Sequence, residues 1–312
     1  MAPAVEANRI SKRYGSVVAV EDLSFAVVAG EILGVLGPNG AGKTTAIRVL
    51  TTILEPSAGT FEVGGVPSSR PVDIRARIGV LPESAGYPGR QTGEEYLHYY
   101  ARLYGHRRAS ARAVAGRLLA EVGLSDRGRS VIDAYSRGMR QRLGIARALV
   151  NEPEVVFLDE PTLGLDPAGQ RQILATIRRI ARERGATVLL STHLLGEVEE
   201  TCSRILILNK GRVAAEGTVA EITSRAAAPR SARLRVAPDQ GERTASLLAT
   251  AGVKRVELAQ DQPGLLAITL PDGGSPSNEW LAVLTGAGVP LLSFELEGAR
   301  LSDAFLAMTE AG

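Results

Sequence analysis

The sequence predicts an α/β fold, a largely parallel sheet carrying helices, followed by a small α+β unit. Three observations carry that prediction. An apolar strand pattern, Ile32 to Leu36, runs directly into a glycine-rich stretch ending in Lys43, Thr44 and Thr45, and a helical period follows to Leu50. A second apolar run, Val155 to Leu158, ends in Asp159 and Glu160 and is stopped by Pro161. Beyond residue 231 the strand and helix patterns follow the order βαββαβ and close with a helix, the order of a ferredoxin-like unit. With 312 residues, 45% hydrophobic and 22% charged, the chain has the composition of a globular protein of two domains.

Taken in order, Val5 to Tyr14 alternates apolar and polar residues, Gly15 and Ser16 turn, and Val17 to Val28 gives a further strand, an antiparallel entry to the domain. Leu36 to Thr45 then reads LGPNGAGKTT and contains GxxxxGKT from Gly37 to Thr44. Strand, loop and helix are the context that this pattern needs to cradle phosphate. Gly37, Gly40 and Gly42 let the backbone curl so that amide N–H groups face inward, with Pro38, Asn39 and Ala41 completing the turn. The positive end of the helix that follows adds to the attraction for oxyanions. Lys43 is expected to reach the β- and γ-phosphates of a nucleotide, the Thr44 hydroxyl to ligate the bridging Mg²⁺, and Thr45 to begin the helix. If the entry hairpin folds back over the nucleotide, Tyr14 can stack on the adenine.

Gly59, Gly64 and Gly65 surround a short strand, and a further strand pattern, Arg75 to Leu81, leads to Pro82 and Glu83 in a loop, where Glu83 can reach the metal or its water. Residues 94–122 are helical in period, so a helical insertion of about residues 93–150 is expected between the cradle and the next strand of the sheet. Within it, Ser136 and Gly138 open a helix whose basic face is Arg140, Arg142 and Arg147. At the end of the Val155 run, Asp159 is placed to hold Mg²⁺ through water and Glu160 to orient an attacking water, which is the positioning that phosphoryl transfer requires. Thr162 to Pro167 forms a loop carrying Asp166, Ala168 to Arg184 a long amphipathic helix, and Ala186 to Leu190 a buried strand ending in Ser191, Thr192 and His193. His193 can meet the γ-phosphate as a neutral donor. Arg204 to Leu208 and Arg212 to Ala215 form a hairpin. The reading therefore divides the chain into residues 1–222, an alanine- and proline-containing linker at 223–231, and an accessory domain at 232–312. That last domain has strands at 232–237, 253–258, 264–270 and 289–296 and helices at 241–251, 277–287 and 301–310. It contains no catalytic cluster and is read as regulatory or assembly-related.

Composition excludes several classes. A formal charge of +2, from 36 basic against 34 acidic residues, with no basic run, argues against nucleic acid as a partner. The one cysteine, Cys202, cannot form an intrachain disulfide and suits a reducing cytosol. No signal peptide or spanning segment is apparent, so a membrane role would have to come by docking to another protein.

The ensemble resembles the ATP-binding cassette of ABC transporters over about residues 5 to 222. Tyr14 matches the aromatic residue that stacks on adenine, Gly37 to Thr45 the Walker A loop, Val155 to Glu160 the Walker B strand with its catalytic glutamate, Leu165 and Asp166 the D-loop, and His193 the switch histidine. Tyr135 to Met139 (YSRGM) takes the place of the signature LSGGQ, keeping Ser136 and Gly138 and departing at Arg137 and Met139. Glu83 stands where most cassettes have a glutamine; a carboxylate keeps an oxygen for Mg²⁺ but adds charge. Residues 301–309 (LSDAFLAMT) resemble the C-terminal extension of daunorubicin-resistance exporter ATPases. The resemblance implies the P-loop NTPase fold, ATP hydrolysis with Mg²⁺, and a head-to-tail homodimer in which Ser136, Gly138 and Met139 meet the γ-phosphate bound by the opposite subunit. It also implies a separate integral membrane permease that places the chain on the cytoplasmic face of the cell membrane. The cargo implied is a drug, antibiotic or other hydrophobic compound. A soluble cassette ATPase acting on nucleic acid or ribosomes is the alternative, and a nucleotide-gated module that scarcely hydrolyses is a third; intact Glu160 and His193 argue against the last.

Overall fold

The structure, a computed structural model, describes residues 3–225, 231–253, 255–259, 262–269, 278–297 and 301–310. The chain divides into two compact units, Met1–Gly217 and Thr218–Gly312. In the first, β1 (Pro3–Tyr14) and β2 (Val17–Val28) pair antiparallel, with Ala7 opposite Phe25 and Tyr14 opposite Val17. Val5, Ala7, Ile10 and, on β2, Leu23, Phe25 and Val27 are buried, which is why these strands alternate. After β3 (Ile32–Leu36) and α1 (Lys43–Leu50), β4 (Ala58–Val63) and β5 (Val66–Pro67) complete a four-stranded sheet in the order β2-β1-β4-β5.

α2 (Pro71–Arg77), begun by a proline at its first position, leads into β6 (Ile78–Leu81). The helical insertion follows. α3 (Gly93–Leu103) starts at a capping box in which Thr92 Oγ1 accepts from Glu95 N at 3.2 Å and Glu95 Oε2 accepts from Thr92 N at 2.8 Å. α4 (Arg108–Glu121) and α5 (Arg137–Ala148) complete it. The remaining elements are β7 (Val155–Asp159), α6 (Pro167–Arg184), β8 (Thr187–Thr192), α7 (Leu195–Thr201), β9 (Arg204–Asn209) and β10 (Arg212–Thr218). The main sheet has the order β10-β9-β3-β8-β7-β6, with the pairs β9/β3, β3/β8, β8/β7 and β7/β6 all parallel.

Strand periodicity splits the core in two. Val156 and Leu158 of β7 and Val188 and Leu190 of β8 face a cluster that includes Leu97, Leu118 and Leu143 of the insertion. Val155, Phe157 and Leu189, one position off, face the cluster shared with α1 and the antiparallel sheet. Strands covered on both faces read as continuous apolar runs, which is how β3, β7 and β8 appear in the sequence.

Two expectations need correction. The insertion does not separate the cradle from the next strand of the sheet, because β6 precedes it and occupies the sheet edge beside β7. The first unit ends at Gly217, not at residue 222, because α8 (Val219–Arg225) buries Ile222 and packs within the second unit against α11 (Leu301–Glu310). Residues 223–225 of the expected linker are thus helical, and residues 226–230 lie outside the described residues.

In the second unit β11 (Ser231–Val236), α9 (Gly241–Thr250), β12 (Arg255–Leu258), β13 (Leu265–Thr269), α10 (Asn278–Gly286) and β14 (Leu291–Glu297) precede α11. The sheet order β12-β13-β11-β14, with every pair antiparallel, is the ferredoxin-like arrangement, and Leu234, Leu266, Ile268, Trp280 and Leu284 form its core.

Candidate functional site

The glycine-rich loop is clamped from two sides. Gly42 caps α1 at φ 101°, where a Cβ would lie 2.5 Å from Ala19 O, and a Cβ on Gly37 would lie 2.5 Å from Leu208 O. Only glycine fits both closures. Lys43, the first residue of α1, is 6% exposed. Its Nζ donates to Gly37 O at 2.8 Å and to Pro38 O at 3.3 Å, and lies 3.5 Å from Glu160 Oε1. A buried ammonium with a carboxylate partner meets the requirement that interior charge be paired.

Asp159 and Glu160 leave β7 at the carboxyl edge of the parallel sheet, where ligands gather in such folds. Thr44 Oγ1 donates to Asp159 Oδ1 at 3.2 Å, and Ser191 Oγ, opposite Asp159 on β8, donates to the same oxygen at 2.6 Å. The Ser191 hydroxyl also accepts from Glu160 N at 3.0 Å. Glu160 has φ 49°, a left-handed backbone that costs a non-glycine residue of order 1 kcal/mol. His193 Nδ1 lies 2.9 Å from Glu160 Oε2 and its ring is 38% exposed. One carboxylate therefore meets a buried lysine through one oxygen and a cleft-lining histidine through the other.

These groups open on a cleft of about 530 Å³ whose lining includes Asn39, Gly40, Thr45, Glu83, Glu160 and His193. Ala41, Gly42, Lys43 and Thr44 also line it, whereas Gly37 and Pro38 contribute through their carbonyls to Lys43. Glu83, in the exposed loop after β6, lines the cleft. No group of three or more His, Cys, Asp or Glu side chains suited to a metal occurs among the described residues. Thr44 and Glu83 instead offer hard oxygens to the cleft, with Asp159 hydrogen-bonded behind Thr44, a donor set that fits Mg²⁺ completed by phosphate and water. The arrangement can neutralise phosphate charge and orient a water.

Other expected residues lie elsewhere. Tyr14, 46% exposed at the end of β1, does not line the cleft, and Lys12 Nζ sits 5.6 Å from its ring centroid. Asp166 caps α6 by accepting from Gly169 N at 3.2 Å. Ser136 caps α5 by accepting from Met139 N at 3.3 Å, and Met139 is packed against the core of the insertion. Neither these residues nor Gly138 line the cleft. Arg137 and Gly138 pack on the loop before α6: a Cβ at Gly164 would lie 2.4 Å from Arg137 Cζ, and one at Gly138 would lie 3.8 Å from Leu165 Cδ2. Tyr87 ties the Glu83 loop to α5 by donating to Arg140 O at 2.9 Å; burial pushes its phenol pKa up, against the opposing pull of Arg147 and Arg140. Sequence reasoning missed Ser191 as a site residue, as well as Ala19 and Leu163 in the cleft lining. Ser191 carries only the signal of a hydroxyl at a strand end; its pairing with Asp159 follows from a parallel register that spacing does not reveal.

The profile of the family described as ABC transporter matches residues 20–163. The daunorubicin resistance ATP-binding protein DrrA3 of Streptomyces coeruleorubidus is 39% identical over 310 residues, covering 98% of this chain and 96% of that protein. The linearmycin resistance ATP-binding protein LnrL of Bacillus subtilis is 32% identical over 98% of each chain. The Nod factor export ATP-binding protein I of Paraburkholderia xenovorans is 41% identical over 69% of this chain and 70% of its own. Among solved structures, an ATP-binding subunit of an ABC transporter superposes with a TM-score of 0.64 at 34% identity, covering 71% of this chain and 92% of that one.

Proposed function

This chain belongs to the ATP-binding cassette family of ABC transporters and is an ATPase, and from that premise we propose that it energises export of a drug, antibiotic or other hydrophobic compound through a separately encoded integral membrane permease. The observation that carries the catalytic part of this reading is the position of Glu160. Its carboxylate is buried between Lys43 and His193 at the mouth of the phosphate cleft. In hydrolysis the water oxygen bonds to the γ-phosphorus and the bond to the β,γ-bridging oxygen breaks. Glu160 orients and polarises that water, Lys43 neutralises the β/γ charge, and His193 holds Glu160 while facing the γ-phosphate. The loop amides of Gly40 to Thr45 cradle the phosphates at the N-terminus of α1. Thr44 and Asp159 would hold Mg²⁺, with Glu83 lining the same cleft, and the ion would supply Lewis-acid neutralisation of phosphate charge.

Export is supported by the relatives named for resistance and for export, two of which align over nearly the whole chain. Among the described residues no helix is long and apolar enough to cross a membrane, so attachment to the inner face of the cell membrane would come through the permease. The deciding experiment is affinity purification from detergent-solubilised cells. We expect a multi-span membrane protein in stoichiometric amount and ATP turnover by the complex. Recovery of ribosomes or nucleic acid in its place would overturn the export reading in favour of a soluble cassette ATPase.

A further inference from the structure

Glu197 lies in the first turn of α7 and is 5% exposed, a buried carboxylate that the hydrolytic reading does not use. Burial of such a group is costly unless it is hydrogen-bonded. Its Oε2 accepts from Thr192 Oγ1 at 2.7 Å, and the same hydroxyl accepts from Leu194 N at 3.1 Å. Thr192 is fully buried. The two bonds fix the backbone immediately before and after His193, whose imidazole reaches out to Glu160 at 2.9 Å. Helix α7 has no side-chain cap of its own at Leu194, so this bridge is what anchors the turn that presents the histidine. The other carboxylate oxygen, Oε1, has no hydrogen-bond partner among the described residues. The chain thus keeps an incompletely satisfied carboxylate directly behind the histidine loop.

We infer that Glu197 is a positioning residue for hydrolysis, which holds His193 in register with Glu160 by locking the Thr192 hydroxyl. The inference rests on the roles proposed above for His193 and Glu160. Glu197 touches neither, and its effect passes through Thr192 and the peptide of residues 192–194. Misplacing a catalytic group by an ångström costs up to about a hundredfold in rate, so partial loosening should cost about tenfold.

The test pairs disruptive with conservative changes in the full-length chain. Thr192→Val keeps shape and removes both bonds, while Thr192→Ser keeps them; Glu197→Leu removes the acceptor, while Glu197→Gln retains an amide oxygen for the hydroxyl. We expect Thr192→Val and Glu197→Leu to lower kcat about tenfold with KM for ATP within twofold of wild type, and the Ser and Gln variants to stay within about threefold in kcat. In a His193→Ala background, Glu197→Leu should lower kcat no further, because residues acting through one group are not additive. If Glu197→Leu fails to fold, the Thr192 pair gives the same reading. Wild-type kcat in Thr192→Val would overturn the inference, as would a full additional loss in the His193→Ala background. A lowered melting temperature with kcat per folded molecule unchanged would likewise reduce Glu197 to a structural role. Wild-type turnover by His193→Ala itself would instead remove the premise about His193, an outcome distinct from failure of the Glu197 variants alone.

Discussion

At the scale of single residues, the site turns on charges that are buried only because they are paired. Glu160 Oε1 is 3.5 Å from Lys43 Nζ and Oε2 is 2.9 Å from His193 Nδ1, so the carboxylate is held at both oxygens. Glu160→Gln keeps that shape while removing the charge that polarises water. The expected result is ATP affinity within a few-fold of wild type and kcat lowered at least about a hundredfold, read by phosphate release. Turnover at the wild-type rate would mean that another group orients the water. Cys202 gives a second residue-scale prediction. Burial first, then the Glu197 carboxylate, pushes its thiol from 9.0 up to about 12, and the thiolate is the form that reacts. Alkylation by iodoacetamide at pH 8 should be at least about tenfold slower in the folded than in the urea-unfolded chain. The sign carries over to stability: as pH rises from 9 toward 12 the unfolded thiol ionises first, so this contribution is full below pH 9 and is lost as pH approaches 12. Lys43, Thr44, Asp159 and Glu160 were legible in the sequence because each sits in a contiguous pattern whose chemistry needs those residues. Ser191 and Glu197 were not, because their partners come from a parallel register and from a short helix that spacing alone does not disclose.

At the scale of elements, the cradle is a joint between β3 and α1 whose tolerance for side chains differs sharply along its length. Gly40 has φ 81° with open space where a Cβ would stand, whereas Gly42 has φ 101° and Ala19 O at 2.5 Å from that point. Gly40→Ala should therefore cost only the strain of a left-handed alanine, about 1–2 kcal/mol. In a unit of this size that lowers the melting temperature by about 2–8 °C. Gly42→Ala must also push the β2 backbone aside, and its melting temperature should fall at least twice as far. Equal falls, measured on the nucleotide-free protein, would show that the clamp on β2 is loose. The same physics explains which elements could be read from the chain. Strands β3, β7 and β8, covered on both faces, announce themselves as apolar runs, and α6 by its periodicity. Strand β6 is legible only as the end of the Arg75 to Leu81 strand pattern, whose first three residues belong to α2, and α7, with seven residues and no side-chain cap, is not legible. The helix α8 was hidden because its buried residue, Ile222, follows β10 with no break to mark a new unit.

At the scale of the whole molecule, we propose that one chain supplies a half-site. Arg137 and Gly138 pack on the loop carrying Gly164 and Leu165, and neither Ser136 nor Gly138 lines the cleft that contains their own Lys43. On that proposal a phosphate in the cleft meets a YSRGM turn supplied by a second subunit, and a two-fold dimer would do so twice, because each chain offers one cleft and one turn. Lys43→Ala empties the cleft of its charge and leaves the turn intact, while Ser136→Arg blocks the turn and leaves the cleft intact. Each homodimer has two defective sites. A heterodimer pairs the intact cleft of one chain with the intact turn of the other and so restores one site of two. With free exchange, half of the dimers are mixed, so the mixture should recover up to about a quarter of wild-type ATPase activity if sites act independently. Recovery of that order, growing with the time allowed for exchange, would establish that the turn acts in trans. If labelled subunits exchange and no activity returns, then either the turn serves its own cleft through a rearrangement of the insertion or both sites must fire together, and the half-site reading of this chain is wrong.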